Sequence, residues 1–521
     1  MRASTPPTLG ELDDTARYAV FDRLQERLPA VWDGIQTGDP MESVVVVPSL
    51  TLDRVVASSP GMTQAMEERF LFMLLLLRQP RLRMVYVTSV TIDPAIIEYY
   101  LSLLPGVIPS HARSRLHLVS VGDARPGALT EKLLARPRLL ALIRSLIPDP
   151  HRCHLVPYNT TAMERDLAIE LGIPMYAADP RLFPLGTKSG CRQVFTEAGV
   201  QFPAGSEDLA TPAEVVTALT ALRARRPAAR SAMLKLNEGV SGSGNAVVDL
   251  TGLPAPGSAE EAAALRQRIA AMALEDNAIG IDAFLAKLAE RRGIVEERIV
   301  GDEVRSPSVQ LRVTPRGVLE ILSTHDQILG GPSGQSYLGA RFPADPAYAP
   351  LITAEAVRIS EVLARKGVMG RFAIDFVVVR DGAAWESHAI EINLRKGGTT
   401  HPFLTLQFLT DGRYDPQSAR FLTPAGAERH LVATDHFEDP LLHGLRVEDL
   451  FDLVARTGMH YDQARQRGVV FHMISAITEC GRVGMTAIGE SAAQAEQVYA
   501  EAEQALRAEA QAALTPQPLP W

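Results

Sequence analysis

Asp375, Glu391 and Asn393 are the side chains of this sequence best placed to do chemistry together. They fall in Arg371-Phe-Ala-Ile-Asp375 and in Glu391-Ile-Asn393-Leu-Arg395. Both stretches read as adjacent β-strands. On the second, the two-residue pleat turns Glu391, Asn393 and Arg395 to one face and Ile392 and Leu394 to the other. Three hard oxygen ligands beside a fixed guanidinium are what Mg²⁺ bound to a polyphosphate needs. A strand with a solvated polar face is the plainer reading of the same pattern, so the rest of the chain has to decide.

Two lysines and a glycine loop lie upstream. Met233-Leu-Lys235-Leu-Asn237 reads as a strand, Glu238-Gly-Val-Ser-Gly-Ser-Gly-Asn245 as a loop, and Ala246-Val-Val-Asp-Leu250 as a returning strand. Glycines let backbone N–H groups approach phosphate oxygens, and the tip of such a hairpin can fold over a ligand. No Gly-Lys-Ser/Thr closes the loop, so it is not a P-loop. Nor does a helix open at its third glycine, as a dinucleotide fingerprint requires. Lysines are scarce, at positions 132, 188, 235, 287, 366 and 396 among 52 Lys+Arg. One inside an apolar strand suits a compact ammonium that follows a phosphate. Lys188, opening an amphipathic helix that runs to about Gly199, is a second candidate cation. Between Ile294 and Glu303 a strand end, a short linker and a new strand follow one another. Such a linker can offer backbone groups to an adenine edge, and a carboxylate seven residues after Glu296 could accept from ribose hydroxyls.

The order Lys188, Lys235 with its loop, Glu296 to Glu303, Asp375, then Glu391-x-Asn393-x-Arg395 resembles the ATP-grasp superfamily over roughly residues 180 to 425. The resemblance implies Lys188 and Lys235 as phosphate-binding lysines. It implies Glu238, Val240, Ser241, Gly242, Ser243 and Gly244 as part of the loop closing over the phosphates. Glu296 and Ile299 would form the adenine hinge, Glu303 the ribose-binding acid, and Asp375, Glu391 and Asn393 the metal ligands. Arg395 matches the arginine that follows them, while Arg371 stands where members vary. The interval from Lys235 to Glu296 is longer than in compact members and reads as a helical insertion over 258–292.

More narrowly, the chain is similar to the pheganomycin-type peptide ligases. The segments that carry this are Thr324 to Pro343, Lys396-Gly-Gly-Thr-Thr-His401-Pro, and Gly468-Val-Val-Phe-His472-Met. The resemblance implies an ATP-dependent carboxylate–amine ligase acting through an acyl phosphate and releasing ADP and phosphate, in peptide natural-product biosynthesis. ATP and Mg²⁺ are the implied cofactors, with two ions expected and Mn²⁺ an alternative. Arg341 and, less directly, Gln335, Lys396 and His401 are expected near the substrates, His401 as a base for the amine or as a structural residue. An ATP-grasp kinase acting on a small hydroxyl compound shares the first half of the reaction, and a non-catalytic ATP-binding module shares the fold. Both stay open at this point.

The elements that must position these residues read as α/β. Residues 1–180 alternate strands at 43–47, 84–88, 116–119 and 154–156 with helices, among them 95–104 and 129–146. This is a Rossmann-like domain without a glycine fingerprint. Thr88, Ser89 and Asn159, at the carboxyl edge of that sheet, are candidates for substrate contact. An α+β ATP-grasp core is expected over 181–425, its hairpin lobe at about 231–300. A small α+β C-terminal domain is expected over 426–514, with helices at 447–457, 461–466 and 491–514 and extended chain at 469–477. Residues 515–521 read as a disordered tail.

With 521 residues, 46% hydrophobic and 22% charged, the chain is long enough for two or three domains of ordinary soluble composition. Net charge −9 and pI near 5.8 argue against a general nucleic-acid or membrane-surface binder. Cys153, Cys191 and Cys480 suit a reducing, cytoplasmic setting and lack metal-ligand spacing. Cys191 is expected in packing. The longest apolar run, Phe70 to Leu77, is too short to span a bilayer and is expected as a buried helix. The expected partners are therefore small molecules or short peptides, with a homodimer open.

Overall fold

The computed structural model describes residues 8–37, 41–51, 60–239, 244–276, 279–331, 334, 336–382 and 384–515. Val240, Ser241, Gly242, Ser243, Gln335 and the tail from 516 onward lie outside them. Four parallel strands, β1 (Ser43–Val47), β2 (Arg83–Thr88), β3 (Leu116–Ser120) and β4 (Cys153–Pro157), form the first sheet in the order β3-β2-β1-β4. Every residue of the Val-rich β1 is buried, as expected of a parallel strand covered by helices on both faces. The helix expected over 129–146 is two, Leu129–Leu134 and Pro137–Leu146, because a proline starts the second. The apolar run is a 3₁₀ segment, Arg69–Arg78, buried along nearly its whole length.

A five-stranded antiparallel sheet follows. Its strands β5 (Gly205–Leu209), β6 (Ser231–Leu236), β7 (Asn245–Asp249), β8 (Ala273–Leu274) and β9 (Gly293–Glu297) lie in the order β5-β9-β6-β7-β8. The interval read as an insertion contributes helices Glu261–Ala270 and Ile281–Arg291. Their Leu265, Ile269, Phe284 and Leu288 bury against Leu234, Val248 and Val295, so they supply this sheet's core.

The third sheet has nine strands: β10 (Glu303–Arg305), β11 (Pro307–Val313), β12 (Leu319–Gly330), β13 (Ser336–Phe342), β14 (Gly370–Asp381), β15 (Ala384–Asn393), β18 (His430–Glu438), β19 (Gly468–His472) and β20 (Arg482–Gly489). Short strands β16 (Arg413–Asp415) and β17 (Arg420–Leu422) pair with each other. The sheet runs β10-β14-β11-β12-β13-β18-β20-β19, and β15 pairs with β14. The strands of the expected C-terminal domain therefore extend the central sheet through the β13–β18 pair, with Gly339 opposite Thr434. A methyl group at Gly339 would lie 2.2 Å from the Ala433 carbonyl oxygen, so only glycine allows this approach. One apolar core joins Val46, Phe70, Phe376, Phe471 and Leu506 across all three regions. Helices Val447–Thr457 and Ala492–Ala513 stand where the periodicity places them. Residues 463–466 form a turn in place of the expected helix, closed by Asp462, whose carboxylate accepts from Ala464 N and Arg465 N. The extended stretch ends at His472 and a short helix, Ala476–Cys480, replaces its second half.

Candidate active site

Asp375 on β14 lies directly opposite Glu391 on β15, and Ala373 opposite Asn393. On the other side of β14, β11 sets Ser308 opposite Asp375, and its hydroxyl hydrogen-bonds the carboxylate. The Asn393 amide donates to Asp375 Oδ2 at 2.9 Å. The pleat turns Ile392 the other way, where its N–H donates to the Cys191 sulfur at 3.2 Å. Cys191 is thus a packed, buried thiol pushed up to about 12 by burial, as its expected packing role requires. The helix Lys188–Ala198 carries Lys188 to the same place, its Nζ 2.5 Å from Glu391 Oε2. That helix start is pinned by Asn237 at the end of the hairpin strand, which accepts from Lys188 N, Ser189 N and Ser189 Oγ.

Like charges directly opposite on paired strands repel. Burial, reinforced by Glu391, pushes Asp375 up to about 6, against the opposing hydrogen bond from Ser308. Burial acts on Glu391 in the same direction, yet the contact with Lys188 holds it below the usual range. Two facing carboxylates and an amide, with Lys188 against Glu391, form an oxygen-rich set. This donor set fits a hard divalent ion such as Mg²⁺, which would relieve the Asp375–Glu391 repulsion. A half-turn of the Asn393 amide about its terminal bond would present its oxygen to such an ion.

These residues line one cavity of about 630 Å³. Around its middle stand Lys188, Lys235, Asp375, Glu391, Asn393 and Arg395. Lys235 Nζ lies 2.5 Å from Glu296 Oε1, and Arg192 flanks the same carboxylate at 3.8 Å. Arg395 donates to the Lys396 carbonyl at 3.3 Å and forms no ion pair among the described residues, so its guanidinium is open to an anion. Met233, Ile299, Val300, Val304, Val377 and Ile390 give the cavity an apolar slot. Gly244, at the return of the loop, lines the same cavity, with its carbonyl accepting from Leu236 N.

Several sequence expectations land elsewhere. The Glu296 carboxylate is paired with Lys235, and Glu296 and Ile299 both line the cavity. Glu303 does not line the cavity. On β10 its neighbour Val304 faces in, so Glu303 turns out to Arg305 and Arg380, each at 2.7 Å, which removes the basis for a ribose contact. Glu238 is off the lining. Arg371 shares its strand with Asp375 yet lies off the cavity, beside Arg312 and Tyr176. Burial lowers it to about 10, and its Nη1 has no partner among the described residues. Arg341 is on the outer face of β13, paired with Glu496, because Ala340 and Phe342 take the core side. Lys396 turns under the first sheet, its Nζ donating to the Pro157 carbonyl at 2.6 Å, and burial lowers it to about 7. Gln335 lies outside the described residues, and Gly334 and Tyr337 near it in sequence line the cavity.

His401 is buried beneath the wall and lowered to about 3 by burial, which leaves it neutral and away from any substrate amine. Its Nε2 lies 3.0 Å from His472 Nε2 and 3.2 Å from Asp435 Oδ1, with His472 Nε2 2.8 Å from the same oxygen. Among the described residues this trio has ligand-like spacing. However, Arg69 already neutralises Asp435 at 2.5 Å, and His401 Nδ1 lacks, among the described residues, the partner that orients a ligating imidazole. It is a hydrogen-bonded knot. Thr88, Ser89 and Asn159 also stay off the cavity. Ser89 is tied to Glu67, and Asn159 accepts from Thr51 N. Their neighbours Leu50 and Tyr158 line it instead, with Met62, Met66, Arg69, Asp435 and Arg482. Sequence reasoning missed these. The Asp435-His436 pair inside an apolar strand and the Met62/Met66 spacing on one helix face were the available signals.

An IQCH-like ATP-grasp family profile matches residues 182–276 and 259–417, and a PGM1 C-terminal domain profile matches 449–502. The chain is 30% identical over 473 residues to L-propargylglycine–L-glutamate ligase of Streptantibioticus cattleyicolor, covering 87% of this chain and 91% of that protein. It is 23% identical over 499 residues to IQ motif-containing protein H of Danio rerio, spanning 47% of that longer protein. In fold it is similar to biotin carboxylase from Campylobacter jejuni, solved with a β,γ-ATP ligand, at TM-score 0.54 and 12% identity over 92% of this chain and 96% of that one. An ADP complex of N5-carboxyaminoimidazole ribonucleotide synthetase superposes at TM-score 0.52 and 10% identity, over 90% and 98%. Among the described residues no helix is long and apolar enough to cross a membrane.

Proposed function

The chain belongs to the ATP-grasp ligases, and on that premise we propose that it joins a carboxylate to an amine at the expense of ATP. The observation that carries this reading is the Lys188–Glu391–Asp375–Asn393 cluster sharing one cavity with Lys235 and the open Arg395. Adenine would lie in the apolar slot against Ile299 and Met233, with backbone groups of the hinge reading its edge. Lys188 and Lys235 would then face the phosphates, trading their carboxylate partners for phosphate oxygens. Asp375, Glu391 and Asn393 would hold Mg²⁺, two ions in the fuller reading with Mn²⁺ as a substitute. The metal would neutralise charge on the phosphates.

The substrate carboxylate attacks the γ-phosphorus, the bond to the β-phosphate oxygen breaks, and ADP leaves. Arg395 offers fixed positive charge where negative charge gathers on the transferred group. The amine then attacks the acyl carbon and expels phosphate, losing its proton to solvent or phosphate. No protein nucleophile is needed. Gly244 and the loop before it would exclude water from the acyl phosphate. Arg371, Arg341 and Glu303 take no part in this scheme, because their side chains lie off the cavity. The Streptantibioticus relative joins two amino acids, which supports small amino-acid or peptide substrates here and a role in peptide natural-product assembly. It also favours a ligase over the kinase and the non-catalytic module. A cytoplasmic location and a homodimer complete the proposal, the dimer to be read by light scattering.

The test is release of ADP and phosphate with Mg-ATP against amino acids and short peptides, singly and in pairs. Phosphate release that needs a carboxylate and an amine together, with a condensed product by mass, is the expected result. A phosphorylated hydroxyl compound with ADP and no free phosphate would overturn the ligase in favour of a kinase.

A further inference from the structure

A second part of the cavity lining comes from stretches of the chain that no motif announces. Leu50 follows β1, Met62 and Met66 are on the helix Pro60–Glu68, Tyr158 follows β4, and Tyr337 is on β13. The charges in this part already have partners. Arg69 donates to Asp435 at 2.5 Å and to the Tyr158 hydroxyl at 2.9 Å. Asp435 also lies 2.8 Å from His472 Nε2, and Arg482 is held by the Asp435 carbonyl at 2.5 Å and Glu438 at 2.8 Å. Burial disfavours the charged form of His436.

Against this neutralised floor stand Leu50, Met62 and Met66, each half-buried and lining the cavity. Met62 and Met66 lie one helical turn apart, backed by Ala65, Met473 and Ala476. Apolar, adaptable side chains kept in contact with water inside a cavity gain by being covered, and methionine shapes itself to what covers it. A charged side chain placed here would lose its hydration and meet charges already paired.

We propose that this part of the lining seats an amino-acid substrate by an uncharged, apolar side chain resting on Leu50, Met62 and Met66, with its reacting group toward Asp375 and Arg395. The proposal rests on the ligase reading and narrows its substrate class. Leucine-, methionine- and norvaline-like side chains fit the chemistry of this wall. Acidic and basic ones do not.

The experiment is calorimetric titration of the full chain, loaded with Mg²⁺ and a non-hydrolysable ATP analogue, with L-methionine, L-norvaline, L-aspartate and L-lysine. The two apolar amino acids should bind at least about tenfold more tightly than the charged ones. Met66→Glu should weaken L-methionine at least about tenfold and leave nucleotide affinity within about twofold. Met66→Ala, a change the fold tolerates more readily, should weaken L-methionine about threefold or more. Tighter binding of L-aspartate or L-lysine overturns the subsite, as does L-methionine affinity equal in wild type and both variants, or no binding of either apolar probe. Failure of the nucleotide analogue itself to bind is a different result, one that overturns the ligase reading beneath it.

Discussion

Arg371 lies on β14 and Arg395 just past the end of β15, and the structure gives them opposite fates on removal. Arg395 faces the cavity without a counter-ion among the described residues, so Arg395→Ala should cost at least about a hundredfold in turnover and little in thermal midpoint. Arg371 is half-buried beside Arg312, and its Nη1 has no partner among the described residues. Arg371→Met should keep turnover within about twofold, because the side chain lies off the cavity. Assays of both variants side by side check the pair. Asp375→Asn should abolish turnover while stabilising the unliganded protein. The fold favours the neutral form of Asp375, whose carboxyl is raised to about 6 by burial and Glu391. Its stabilising contribution is full below about pH 4 and is lost as pH rises through 6. The variant's advantage in melting temperature should therefore vanish near pH 4 and reach its maximum by pH 7, measured without metal. The Asp375, Glu391 and Asn393 placements were legible because side chains on adjacent strands obey the pleat. Arg371 and Glu303 were not, since their roles were carried over from relatives while the register of β10 and the neighbours of β14 decide where each side chain points.

At the level of elements, periodicity served well where one face is buried and the other wet. The four parallel strands and the helices Val447–Thr457 and Ala492–Ala513 stand close to their expected spans. It failed where composition is uniformly apolar or locally overruled. Arg69–Arg78 carries no amphipathic alternation, so its 3₁₀ winding could not be told from an α-helix. The turn at 463–466 is set by an Asp462 side chain competing with the backbone pattern. The pairing of β13 with β18 is a contact between distant strands, and no local signal encodes it. Gly339 marks that pairing. Gly339→Ala should lower stability by roughly 1–3 kcal/mol, because the new methyl must displace the Ala433 carbonyl. Gly10→Ala, with nothing within 4 Å, should be silent in the same urea titration.

Over the whole molecule, Arg69 near the start of the chain meets Asp435 near its end and Tyr158 between them, and the Asp435 carbonyl holds Arg482. Arg69→Met should cost about 3–5 kcal/mol, because Asp435 would stay buried without its partner. Asp435→Asn added to it should recover part of that loss, read from thermal unfolding of the two variants. The sequence separates these residues by hundreds of positions, which is why this wall of the cavity was invisible to motif reading while the Asp375, Glu391 and Asn393 pattern was plain. Their meeting also bears on how the protein comes into being at the ribosome. Lys188, Lys235 and Asp375 emerge long before β18 and β20, so the wall that Asp435 and Arg482 supply can be set in place only after β18 has paired with β13 and β20 with β18.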